Sequence, residues 1–156
     1  MKHRIAGAVF AGMFAMMLVA SLTVPARADD DHNCSLKRAA GKWSFTDNGT
    51  VVGVGPRVAV GILTLDSAGN VSNGVATSSL NGAIAQETFS GTYTVNSDCT
   101  GTISVTIYSG GAELFVINGN IAFDEDSKHL RGVFTSVVAP NGTSLPTVIA
   151  LDGKKQ

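Results

Sequence analysis

The chain has 156 residues, with 11 Lys and Arg against 12 Asp and Glu and a formal charge of −1. That length suits one domain. No basic run exceeds the pairs Lys37-Arg38 and Lys154-Lys155, so a nucleic-acid partner and docking on anionic membranes are both excluded.

Lys2, His3 and Arg4 lead into an apolar run over residues 5–24, and Ala26-Arg27-Ala28 closes it. This order of positive region, apolar region and small-x-small site reads as a signal peptide over residues 1–28. A retained anchor is the alternative, since roughly 20 apolar residues span a bilayer. Ser21, Thr23 and Pro25 interrupt the run and favour cleavage. Cleavage removes Lys2, Arg4 and Arg27, so eight basic residues then face the 12 acidic ones, a charge of −4. The expected product is an exported protein, periplasmic or extracellular, with no remaining membrane segment. Residues 29–40 read as a tail and a short helical turn, residues 41–152 as the folded domain, and residues 153–156 as a second tail.

Val, Ile, Thr and Ser then dominate, punctuated by Gly, Asn and Asp, which is the vocabulary of strands and tight turns. Trp43 and Phe45 alternate with Ser44 and Thr46 before Asp47-Asn48-Gly49, read as a turn. A nearly all-apolar strand follows over residues 57–65, and another runs up to the Asn81-Gly82 turn. Over residues 83–95 Gln86, Thr88, Ser90, Thr92 and Thr94 alternate with Ala85, Phe89, Tyr93 and Val95, a period of two with one buried face. Ile103, Val105 and Ile107 continue that face, and Gly110-Gly111 turns again. Asn118-Gly119 reads either as a hairpin turn or as a bulge in one long strand. Strands over residues 129–138 and 145–151 complete the chain. The expectation is an all-β, antiparallel meander of eight or nine strands, closed as a barrel or folded as a sandwich.

Cys34 and Cys99 are the only cysteines. In an exported chain an even count predicts a disulfide, here closing a loop of about 65 residues, with two buried free thiols as the alternative. Strict alternation puts Glu87 on the inward face with Phe89 and Tyr93. A place near the strand start, or before a bulge at Gly91, turns it to water, and the rarity of buried glutamate favours this. Trp43, Phe89, Tyr93 and Phe115 are the aromatic candidates for lining a cavity, against the alternative of a filled core. Arg131 is a candidate partner for Glu87 or for an anionic head group, or else an outward residue on a solvated face.

No hydrolase, metalloprotease or phosphate-loop motif occurs. His32 lies in an Asp-rich tail and is fourth after cleavage, and His129 has no ligand partner nearby, so no metal and no cofactor are expected.

A short helical turn, Gly41-Lys42-Trp43 and a hairpin-by-hairpin run of strands resemble the lipocalin/calycin pattern. Gly91 to Val95 followed by Asp98-Cys99-Thr100-Gly101-Thr102 is also similar to uncharacterised exported bacterial proteins with an early Cys. The barrel resemblance spans residues 35–152. It implies a Trp packed across the closed barrel end and a small apolar or amphipathic ligand; the basic residue that the pattern places after the last strand would have to be Lys154 in place of Arg. The expected function is therefore non-catalytic binding of a small hydrophobic ligand by Trp43, Phe89, Tyr93 and Phe115, with Glu87 or Arg131 as polar anchor. The alternatives are a cofactor-free isomerase or cyclase using Glu87 as acid or base and Tyr93 as donor, and a protein-binding module with a filled core.

Overall fold

A computed structural model describes residues 34–156. The signal-peptide reading, the tail of residues 29–33 and His32 lie outside the described residues. A helical turn, α1 (Leu36–Ala39), leads into β1 (Gly41–Val51), β2 (Gly55–Leu65), β3 (Asn70–Leu80), β4 (Ala83–Tyr93) and β5 (Thr100–Ser109). The chain continues through β6 (Ala112–Phe123), β7 (His129–Val138), the two-residue β8 (Ser144–Leu145) and β9 (Thr147–Lys155).

Each strand from β1 to β6 pairs antiparallel with the next. β6 then pairs with β7, β7 with β9, and β9 returns to β1. Eight strands therefore close into one antiparallel barrel, and β8 is an extra strand on β7. Closure removes the free edges that a sandwich would leave. Local chemistry serves this arrangement. Asn81-Gly82 and Gly110-Gly111 all carry positive φ, as two-residue hairpin turns require.

Asp47-Asn48-Gly49 is the instructive exception. It is not a turn but lies in the middle of β1, with Asp47 opposite Ala59 on β2 and Leu151 on β9. Gly49 is needed for a different reason: a Cβ there would sit 1.9 Å from the Val148 carbonyl oxygen. The chain turns only after Val51. Asn118-Gly119 stays within β6, where the register against β7 shifts, which is the bulge rather than the hairpin. Pro146 divides the expected last strand into β8 and β9. Beyond it, β9 runs on to Lys155, so residues 153–155 are ladder rather than tail.

The α1 end of the barrel is plugged. Trp43 is wholly buried, packs edge-on against Phe123 with ring centroids 5.8 Å apart, and donates its Nε1–H to the Ala39 carbonyl. The Cys34–Cys99 disulfide ties the segment just ahead of α1 to the β4–β5 turn, as the cysteine count predicts.

Candidate functional site

The other end of the barrel holds three charged side chains inside the wall. Asp47 on β1, Arg57 on β2 and Glu87 on β4 are each no more than 5% exposed. Their inward direction follows from strand alternation. The bulge near Gly91 falls on β3, between Val71 and Gly74. β4 thus keeps its alternation and turns Glu87 inward, opposite Ala76. The water-facing alternative is overturned. Small inward residues between these strands, Ala59, Ala76 and Ser78, leave the space into which the long side chains extend.

Arg57 organises the cluster. Its Nη1 and Nη2 donate to Glu87 Oε1 and Oε2, both at 3.0 Å, in a bidentate pair. Nη2 also donates to Asp47 Oδ2 at 3.3 Å. Ser78 Oγ donates to Glu87 Oε1 at 2.6 Å, and the Phe115 ring lies 5.9 Å from the guanidinium carbon. Arg57 Nε and Asp47 Oδ1 are 3.2 Å apart, close enough for attraction but misaligned for a hydrogen bond, and neither atom has another partner among the described residues. Burial of such groups is costly unless each is paired and hydrogen-bonded. Two carboxylates against one guanidinium leave one formal negative charge unbalanced.

The titration of the cluster follows. Burial raises the Asp47 pKa above the ordinary aspartate value, and the nearby Arg57 charge opposes that shift without cancelling it. For Arg57, burial pulls the pKa down, but the hydrogen bond to Glu87 and the two carboxylate charges outweigh it and raise the value overall.

The cluster borders a cavity of about 40 Å³, whose remaining walls are apolar and include Phe45, Leu63, Phe89, Val105 and Phe134. That volume admits about three water molecules at roughly 10–15 Å³ each. It is well below the roughly 300 Å³ that houses a drug-sized ligand. At the same end the β1–β2 turn exposes Val52 and Val54, and Ile84 and Val148 lie exposed near the starts of β4 and β9.

The aromatic candidates divide between the two ends. Phe89 and Glu87 line the cavity, and Phe115 covers Arg57. Trp43 and Tyr93 belong to the plugged end. Tyr93 Oη donates to the Asp66 carbonyl at 2.6 Å and lies 3.3 Å from the Leu36 carbonyl. Its pKa is pushed up to about 12, first by burial and then by the Asp66 charge. Tyr93→Phe is accordingly expected to cost about 1 kcal/mol in urea unfolding, by leaving the part-buried Asp66 carbonyl without its donor. An unchanged midpoint would show that this hydroxyl does not secure α1. Arg131 is not a lining residue. Its side chain is 70% exposed and pairs with Asp124 and Asp152 on the outer surface, because position 131 falls on the solvent side of β7. His129 likewise faces Asp124 there.

Asp47 and Arg57 carry the site, and neither stands out in the sequence. The Asp-Asn-Gly turn signature disguises the first. The apolar run that follows Arg57 makes it look like a strand boundary. The available signal was parity: Asp47 shares its odd register with Trp43 and Phe45, and Arg57 shares its own with Leu63 and Leu65.

The sequence matches no protein-family model and no curated protein. Among solved structures the fold is similar to EF1p2_mFAP2b bound to DFHBI, with a TM-score of 0.55, 16% identity, and coverage of 78% of this chain and 100% of that one. It is also similar to a redesigned beta barrel, mFAP1, bound to DFHBI, with a TM-score of 0.51, 16% identity, and coverage of 78% and 98%. At this identity the likeness establishes a shared small-barrel fold.

Proposed function

We propose that the chain is an exported barrel that binds a small amphipathic ligand without transforming it. The observation that carries this reading is the buried Asp47–Arg57–Glu87 cluster bordering an otherwise apolar cavity, at the end away from α1. A buried ionic cluster is costly beside an apolar isostere, so a structural role explains it poorly, whereas ligand pockets need a few placed polar groups in an apolar wall. The small cavity accepts a polar head of a few heavy atoms. The exposed apolar residues Val52 and Val54 of the β1–β2 turn offer contact for the rest of the molecule.

Two further observations support the reading. The solved barrels of similar fold hold a small molecule, DFHBI. Trp43 packed across the helix-capped end is in keeping with the lipocalin-like pattern. The disulfide is compatible with an oxidising compartment, as export through a signal peptide requires. Catalysis by Glu87 or Tyr93 is disfavoured because both are already engaged, Glu87 by Arg57 and Ser78 and Tyr93 by backbone carbonyls. Native mass spectrometry of protein isolated from its own host tests the proposal. One small molecule per chain, released on denaturation, is the expected result. A bare mass, together with no thermal shift across a panel of small amphiphiles, would overturn it.

A further inference from the structure

We propose that the cavity selects a cationic, hydrogen-bond-donating head group, an ammonium on an apolar chain, and rejects carboxylates of the same shape. This rests on the small-ligand reading above and names the ligand class of that site.

The argument is one of charge and hydrogen-bond counting. An arginine inside a barrel ordinarily invites an anionic head group, since its fork matches a carboxylate. Here the end of that fork is taken from within the protein, and its Nε faces Asp47 Oδ1 at 3.2 Å. Nη1 and Nη2 are spent on both oxygens of Glu87, and Nη2 also serves Asp47 Oδ2. An incoming carboxylate would have to displace Glu87. It would also bring a third negative charge beside Asp47 and Glu87, with only one positive charge to balance them, and unpaired charge in a poorly solvated site is heavily penalised.

One negative charge is what the cluster has left over. Asp47 is 2% exposed and lines the cavity, and its Oδ1, 3.2 Å from Arg57 Nε, accepts no aligned hydrogen bond from the described residues. An ammonium beside it would supply Oδ1 with a donor better aligned than Arg57 Nε and bring the cluster to neutrality, two positive charges against two negative. The pKa of Asp47 is raised chiefly by burial, and the Arg57 charge, which Asp47 shares with Glu87, opposes that shift without cancelling it. Phe45 and Phe89, edge-to-face at 5.6 Å on the cavity wall, supply apolar contact for the carbons next to the nitrogen.

Three probes of one length separate the terms: hexylammonium, hexanol and hexanoate, titrated calorimetrically into the intact, oxidised protein. A charge-assisted hydrogen bond predicts that hexylammonium binds about tenfold or more tighter than hexanoate. Asp47→Asn keeps the side-chain shape and removes the surplus charge, so it is expected to collapse that preference. Near-UV circular dichroism establishes that the variant is folded. Should it not fold, Glu87→Gln removes one negative charge from the other side of Arg57 and gives the same expectation. Equal binding of all three probes, or tighter hexanoate binding, would overturn the cation preference and leave the small-ligand reading standing. A preference that survives in the folded variants would also overturn it. Binding of none of the three would overturn both.

Discussion

Arg57→Met is expected to destabilise the protein by about 3–5 kcal/mol near neutral pH, the usual cost of removing one partner from a buried ion cluster. Methionine preserves most of the side-chain volume, so the loss reports charge rather than a hole. Without the guanidinium, Asp47 and Glu87 face each other across a space from which water is nearly excluded, and Ser78 is the one hydrogen-bond donor left to Glu87. The pH dependence has a definite sign. Asp47 already has a raised pKa in the wild-type fold because of its burial, and losing the Arg57 charge that opposes this shift raises it further. A carboxyl whose folded-state pKa is raised stabilises the fold below the ordinary carboxylate range. That contribution is lost as pH rises through the folded-state value. Urea unfolding of wild type and Arg57→Met across pH 4 to 8 should therefore show a gap that widens with pH. A gap under about 1 kcal/mol at neutral pH, the level typical of an exposed ion pair, would mean that the cluster is solvated and would remove the basis for the site.

Opening the Cys34–Cys99 bridge, with Cys34→Ser and Cys99→Ser together, is the second change of this size. The bridged residues are 65 positions apart, and the chain-entropy relation gives about 4 kcal/mol for a loop of that length. That is a large fraction of the roughly 5–15 kcal/mol that holds a domain together. The structure adds where the effect should be felt. Cys34 immediately precedes Ser35, whose hydroxyl accepts from the Arg38 backbone N–H at the start of α1. α1 itself supplies the carbonyl that Trp43 uses. Freeing Cys34 loosens that plug first. Trp43 is the single tryptophan of the chain, so its emission should shift red at lower urea concentrations in the double variant than in the oxidised protein. Identical unfolding curves for the two proteins would show that the bridge adds no stability.

The two ends of the barrel differ in how much of them can be read along the chain. Gly41-Lys42-Trp43 marks the plugged end as a local motif, and Cys34 and Cys99, although 65 positions apart, pair by elimination because the chain has no other cysteine. The strand count, the antiparallel order and most turns were likewise legible, because hairpin chemistry acts within a few residues: Asn81-Gly82 and Gly110-Gly111 behave as their sequences require. The charged end was not legible in this way. Asp47-Asn48-Gly49 has turn chemistry, yet β2 and β9 hold it extended from both sides, and cross-strand hydrogen bonds over the whole of β1 outweigh a local turn preference.

By itself, then, the sequence determined an all-β antiparallel architecture, the cysteine pair and a candidate carboxylate at Glu87. Only the tertiary structure decided that Glu87 faces inward, that its partner is Arg57 rather than Arg131, and that Asp47 joins them with an unanswered acceptor. Turns and alternation arise from neighbours in sequence. A buried charge is tolerable only through a partner on another strand, and Arg57 meets Asp47 and Glu87 across 10 and 30 residues of chain, a separation that the register of β1 to β4 bridges.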